Sequence, residues 1–250
     1  MRVIVILAAL AAATIPAMAD DAAKRAALLA GYPGLFAFEG NAVVFTDGTS
    51  IVWDDGSVRS AEALIASPDV EDMFHYVYPL VTAGELAPER DFDPGRIRNE
   101  AFFKAIYGAN AGAVGDHVVG VTWLGGTARV TTMLGIDQRL AAVAAGMDGQ
   151  LADYGRNPGG GFNWRVIAGT SQLSVHSFGA AFDINVDYSD YWRWADVKAD
   201  PIPFKNRIPL AVVALFEAQG FIWGGRWYHY DTMHFEYRPE LIAYAETMAD

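Results

Sequence analysis

Apolar positions along this chain fall into short runs separated by turn residues. Residues 21–31 (DAAKRAALLAG) have the spacing of a short helix, stopped by Gly31 and Pro33. Two β-rich runs, Val43–Phe45 and Ile51–Trp53, flank Asp47-Gly48 and predict a hairpin. Ser60 can cap a short helix over Ala61–Ala66, with Glu62 in its first turn and Pro68 preventing its continuation. Residues 79–97 carry three prolines and mixed charge, and read as an exposed connection. A helix around Arg98–Tyr107 follows. Val118–Leu124 and Thr127–Met133, joined at Gly125-Gly126, predict a second hairpin.

The second half alternates less regularly. Asp137–Tyr154 is rich in alanine and leucine with Asp at its start, so a helix is expected there. Asn157–Gly161 (NPGGG) reads as a loop, and Trp164–Ala168 and Ala180–Val186 as strands. Pro209–Gln219 is a helix with proline in its first turn and Gly220 as terminator. Met233–Tyr237 is a short final strand. No regular β-α-β rhythm runs through these elements, which favours an α+β fold. A division is expected near residue 110, between an N-terminal extension over 20–110 and a catalytic domain over 111–250.

The first residues follow a different logic. Met1-Arg2 is a positive start, Val3–Ala13 is uncharged and apolar, and Ala17-Met18-Ala19 is a small-x-small pattern. This reads as a secretory signal peptide, residues 1–19, cut after Ala19. Export to a bacterial periplasm is the expectation, with no transmembrane segment in the mature chain and a monomeric protein. The 250 residues are 52% hydrophobic and 19% charged, which excludes a disordered chain. The net charge of −12 disfavours nucleic-acid binding. The absence of cysteine excludes disulfides, thiolate nucleophiles and thiolate metal sites.

Candidate chemistry gathers around two histidines. His176 stands in SVHSFGAAFD and His234 in DTMHFE. A hydrolytic zinc site needs three nitrogen or oxygen ligands, an open position for water and a carboxylate to take the water's proton. His176 on a turn, Asp183 on the strand after Gly179 and His234 on a later strand can converge if those strands are neighbours, with Asp231 as the base. On spacing alone, a surface Asp183 and two core histidines fit the same residues.

The whole pattern resembles the zinc D-alanyl-D-alanine metallopeptidases of the VanX/VanY type, a family that includes L-alanyl-D-glutamate endolysin peptidases. Its pattern S-x-H-x-x-G-x-A-x-D is met by Ser174, His176, Gly179, Ala181 and Asp183, and its distal [DE]-x-x-H by Asp231 and His234. The latter lies in the context Trp223-Gly224-Gly225-x-Trp227. The motifs cover roughly residues 164–238; the region before carries no signature of the family. The resemblance implies one Zn2+ held by His176, Asp183 and His234, with Asp231 as catalytic carboxylate. It also implies a small antiparallel sheet with flanking helices, of the hedgehog/D-Ala-D-Ala-peptidase kind, and an exported peptidase acting on peptidoglycan stem peptides. Aspartate at 231 looks like the endolysin-type branch. Members often carry an oxyanion-stabilising arginine in a Gly-Tyr-Arg-Ser-like segment. This chain has Asn163-Trp164-Arg165-Val166 instead, so Arg165 is the nearest candidate and Arg129 stands behind it.

In the mechanism expected from these parts, Asp231 takes the water's proton and passes it to the leaving amine. Ser174, His229, Trp192 and Arg193 are candidate substrate contacts. Tyr188, Tyr191 and Trp194 join Trp192 as a candidate groove wall, and Lys198, Lys205 and Arg207 join Arg193 as positive charge for a substrate carboxylate. His75 and His117 are read as structural. The competing readings are a noncatalytic zinc-containing cell-wall-binding domain and a metal-free carbohydrate-binding module using the aromatic cluster.

Overall fold

The computed structural model describes residues 14–249, with side chains from Asp20. The expected signal peptide therefore lies outside the described residues, except for the helical backbone of 14–19. The first helix, α1 (Thr14–Gly31), is followed by a three-stranded antiparallel sheet of β1 (Phe36–Glu39), β2 (Ala42–Phe45) and β3 (Ser50–Val52). The Asp47-Gly48 hairpin joins β2 to β3 as expected, and β1 is an added edge. Ser60 caps α2 (Ala61–Ala66) by accepting the Ala63 N–H. Asn99 caps α3 (Glu100–Tyr107) by accepting from Phe102 N–H at 2.9 Å, and a one-turn α4 (Ala111–Gly115) follows.

The expected second hairpin is β4 (Val118–Trp123) and β5 (Gly126–Thr131). Beyond it the expected Asp137–Tyr154 helix is interrupted. Helix α5 (Ile136–Gly146) ends where the Met147 backbone leaves helical geometry, and chain continues through a single 3-10 turn into α6 (Ala152–Gly155). Gly146, Asp148 and Gly149 are poor interior helix residues, and their clustering accounts for the break.

The site rests on a four-stranded sheet of β6 (Pro158–Gly160), β7 (Ala181–Asn185), β8 (Phe221–Trp223) and β9 (His234–Tyr237), in the order β6-β7-β9-β8, all antiparallel. Helix α7 (Leu210–Glu217) precedes β8, and α8 (Pro239–Ala249) follows β9. Two strand expectations are corrected here. The glycine-rich stretch at 158–160 is an edge strand rather than a loop, pairing Pro158 with Asn185 and Gly160 with Asp183. Trp164–Ala168 is not a strand: only an isolated bridge joins Val166 to Leu173, across a turn at 167–170.

Alternation along the strands sorts site from core. Phe182, Ile184 and Phe235 are buried on one face, where Phe182 meets Trp123 at 4.6 Å and Phe235 stacks on Phe216 at 3.7 Å. Burying a side chain of that size contributes about 1.5–3 kcal/mol. Asp183, His234 and Glu236 turn to the other face. The buried cluster runs from Ala27 to Ala245 and includes residues from both sides of position 110. No described helix is long and apolar enough to cross a membrane.

Candidate metal centre

The β7–β9 register places Asp183 directly opposite His234. Cross-strand neighbours on one face stand about 4.5–5.5 Å apart at Cβ, so these two side chains must meet. His176 reaches them from a 3-10 turn, Val175–Phe178, that lies just before β7. Gly179 ends that turn at φ +65°, and an added Cβ would lie 2.9 Å from the Thr131 nitrogen. Only glycine fits a left-handed position so close to another backbone. Ser174 caps the turn, its hydroxyl accepting from the His176 N–H at 3.4 Å.

The donor atoms of His176, Asp183 and His234 all lie within 4.8 Å of one another. His176 Nδ1–H donates to the Gly161 carbonyl at 2.8 Å, which leaves Nε2 free to point inward. On His234, Nε2–H donates to Glu236 Oε2 at 3.1 Å, which leaves Nδ1 pointing inward. His176 Nε2 lies 3.2 Å from Asp183 Oδ1 and 3.2 Å from His234 Nδ1, and His234 Nδ1 lies 2.9 Å from the same oxygen. Tetrahedral zinc with bonds near 2.0–2.1 Å sets its donors roughly 3.3 Å apart, so the spacing suits that ion. The chemistry fits too: two imidazoles with fixed outer bonds and one carboxylate are borderline donors of the kind zinc takes.

Electrostatics follow from the same contacts. Burial works against the His234 imidazolium, but the bonds to Asp183 and Glu236 and their charges outweigh it, raising the pKa to about 10. Asp183 is also buried, yet the charges and bonds of His176 and His234 hold its carboxyl far below the usual range. Glu236 stays ionised despite burial because Arg98, His234 and Arg238 surround it. Arg98 lies 3.4 Å from Glu236 Oε2 and Arg238 lies 3.2 Å from Oε1, and Arg238 also pairs with Glu240. The His234 ring is thus anchored to a buried ionic network that ends at Tyr32, whose hydroxyl donates to Glu240 at 2.8 Å.

Asp231 sits on the turn between β8 and β9. Its N–H donates to the Gly224 carbonyl at 3.0 Å, and its own carbonyl accepts from the His234 N–H at 3.2 Å. Its Oδ1 is buried with no hydrogen-bond partner. Burial first, and the Asp183 charge second, push its pKa up to about 6. A carboxyl with an unused oxygen and a raised pKa, beside a donor set, is built to take a proton.

All four residues line one cleft. Residues 168–237, which contain all four, match the family model described as D-alanyl-D-alanine carboxypeptidase. The match spans the site-bearing segment. No curated protein and no solved structure matches the chain. Several residues that line this cleft precede the matched segment. Arg165 does so as an exposed wall residue, and its side chain makes no ion pair among the described residues.

The remaining expected contacts divide. Ser174, Trp192, Tyr191 and His229 line the cleft, Ser174 with its hydroxyl engaged in the His176 turn. Arg193 does not line it: its guanidinium donates to the Ala168 carbonyl at 3.3 Å and lies over the Trp192 ring. Arg207 binds Asp190 and the Asp187 and Ser189 carbonyls, so it staples its own loop. Trp194 is 61% exposed outside the cleft lining, and Arg129 packs over Phe162.

Sequence reasoning missed Asp93, Arg96 and Arg98. The segment 79–97 is an exposed connection only in part: Asp93, Pro94, Gly95 and Ile97 are buried, and Arg96 and Arg98 line the cleft. Gly95 makes this possible. It has φ +95°, and an added Cβ would meet Ile222 Cδ1 at 2.3 Å and Glu236 Oε1 at 3.5 Å. Glu236 was recoverable, since a strand starting at His234 puts residue 236 on the same face.

Proposed function

We propose that the chain is an exported zinc metallopeptidase that hydrolyses peptide bonds of peptidoglycan stem peptides, as a D-alanyl-D-alanine carboxypeptidase or an L-alanyl-D-glutamate endopeptidase. Aspartate at 231 favours the endolysin-like branch. The observation that carries the reading is the unpartnered, buried Asp231 oxygen beside three converging donor atoms. A noncatalytic binding domain has no use for such a group. His176, Asp183 and His234 hold one zinc ion, and when bound it lowers the pKa of water toward about 7 and polarises a carbonyl.

The chain's own residues supply the rest. Asp231 accepts the proton of the attacking water. Glu236 and the Gly161 carbonyl fix the ring orientations of His234 and His176. Arg165 offers a guanidinium to the developing oxyanion from the exposed wall of the cleft. Trp192 and Tyr191 bound the groove for the peptide. Residues 1–19 direct export to the periplasm, where the mature chain acts as a monomer.

Digestion of purified muropeptides, read by mass spectrometry, tests this and names the bond. Zinc-loaded protein is expected to yield a shortened stem peptide, and Asp231→Asn protein is not. Muropeptides left intact by stoichiometrically loaded wild type would falsify the reading.

A further inference from the structure

Peptide hydrolysis needs two proton transfers, and Asp231 accounts for the first. His229 lines the same cleft. Its Nδ1–H donates to Asp93 Oδ2 at 2.7 Å, and its backbone N–H donates to Oδ1 of the same carboxylate at 2.9 Å. Both oxygens of one carboxylate thus hold one residue. Asp93 is 4% exposed. Burial opposes its ionisation, but the bond from His229 and the charge of Arg96 keep its pKa below the usual range.

The ring is also fixed by its packing. Trp192 and Tyr228 meet it edge-on at 4.7 and 5.0 Å. Arg96, the cation facing it, donates to the His229 carbonyl at 3.4 Å. The turn that carries Asp93 is tied to the His229 loop by two further bonds, Tyr228 N–H to the Phe92 carbonyl at 2.8 Å and the Trp227 indole to the Pro94 carbonyl. With Nδ1 committed, Nε2 has no hydrogen-bond partner among the described residues. Asp93 lies outside the family-matched residues 168–237, so the N-terminal part of the chain completes the site.

We propose that His229, oriented by Asp93, delivers the proton to the leaving amine. The proposal rests on the peptidase reading. As the C–N bond of the tetrahedral adduct breaks, its electron pair takes the Nε2 proton and the amine leaves neutral. The imidazole regains a proton from solvent at the open side of the cleft, while Asp231 releases the proton it took from water. The balance is one water consumed, one acid and one amine formed. A buried carboxylate behind an imidazole stabilises the imidazolium, and Asp93 is the positioning residue in this pair.

The test compares a peptide with a thioester of the same acyl part, using wild type, His229→Gln and Asp93→Asn proteins loaded with zinc. A thiolate leaves without a proton, so only the peptide needs the donor. Both variants are expected to lose about 10²-fold or more in kcat on the peptide and under about threefold on the thioester, with unchanged zinc content. In the metal-free proteins, 15N NMR should find Nδ1 of His229 protonated in wild type, with its signals moved in Asp93→Asn. Equal losses on both substrates, or no loss on the peptide, overturn the proposal while leaving the peptidase reading intact. Wild type that cleaves neither substrate overturns both.

Discussion

His234 divides its ring between two neighbours, and that division makes the centre sensitive to protons. In the metal-free protein Nδ1 carries a proton toward Asp183, with the pKa raised to about 10, so at neutral pH a zinc ion must displace it. Zinc binding near pH 7 is therefore expected to release about one proton, read by calorimetry in buffers of different ionisation enthalpy. Asp231 adds a second contribution. Its pKa of about 6 leaves it largely protonated near pH 5.5, and an adjacent dication drives that proton off. Release should rise as pH falls from 7 to 5.5, and the part contributed by Asp231 should vanish in Asp231→Asn. An identical pH dependence in the two proteins would remove Asp231 from the neighbourhood of the ion. The same variant should retain zinc and fold but lose roughly 10²–10⁴-fold in turnover, the usual contribution of a general base. A loss under threefold contradicts the role.

The elements bearing the candidate ligands were legible because their signals are local. Asp47-Gly48 and Gly125-Gly126 mark hairpins, Ser60 marks a cap, and Gly179 separates a histidine turn from a strand. The 158–160 strand was not legible, since a Pro-Gly-Gly stretch pairs through its backbone and has no side-chain alternation to read. The 93–98 turn was hidden for a different reason. Its charges are buried by partners more than a hundred residues away, such as Glu236 for Arg98 and His229 for Asp93, and proline and mixed charge look solvated until those partners are known. Gly179→Ala probes the legible device. The left-handed φ and the 2.9 Å approach to Thr131 predict a loss of about 1–3 kcal/mol in urea unfolding of the metal-free protein. Zinc affinity should weaken with it, because the same turn aims His176. A change under about 0.5 kcal/mol would mean that the turn relaxes freely.

Across the whole molecule, the N-terminal part behaves as a component of the site rather than an attachment to it. Helix α1 packs along α8, and Tyr32 closes the ionic chain that starts at His234. Asp93 holds His229, Arg98 neutralises Glu236, and Glu100 accepts the Leu173 N–H at 3.0 Å ahead of the histidine turn. Removing residues 20–110 would leave Glu236, Glu240 and Arg238 in a cavity open to water on one side and short of partners on the other. It would also strip Tyr32, Phe36, Phe102 and Phe103 from the buried cluster. Losing even a few such side chains costs about 3–5 kcal/mol each, comparable with the whole stability of a domain. A chain of residues 111–250 alone is therefore expected to lack a cooperative thermal transition and to bind zinc far more weakly than residues 20–250. The comparison needs only calorimetry and metal analysis of the two proteins. A sharp transition with one tightly bound zinc in the shorter chain would show that residues 111–250 carry their own core, and that the contacts from 93–98 merely decorate it.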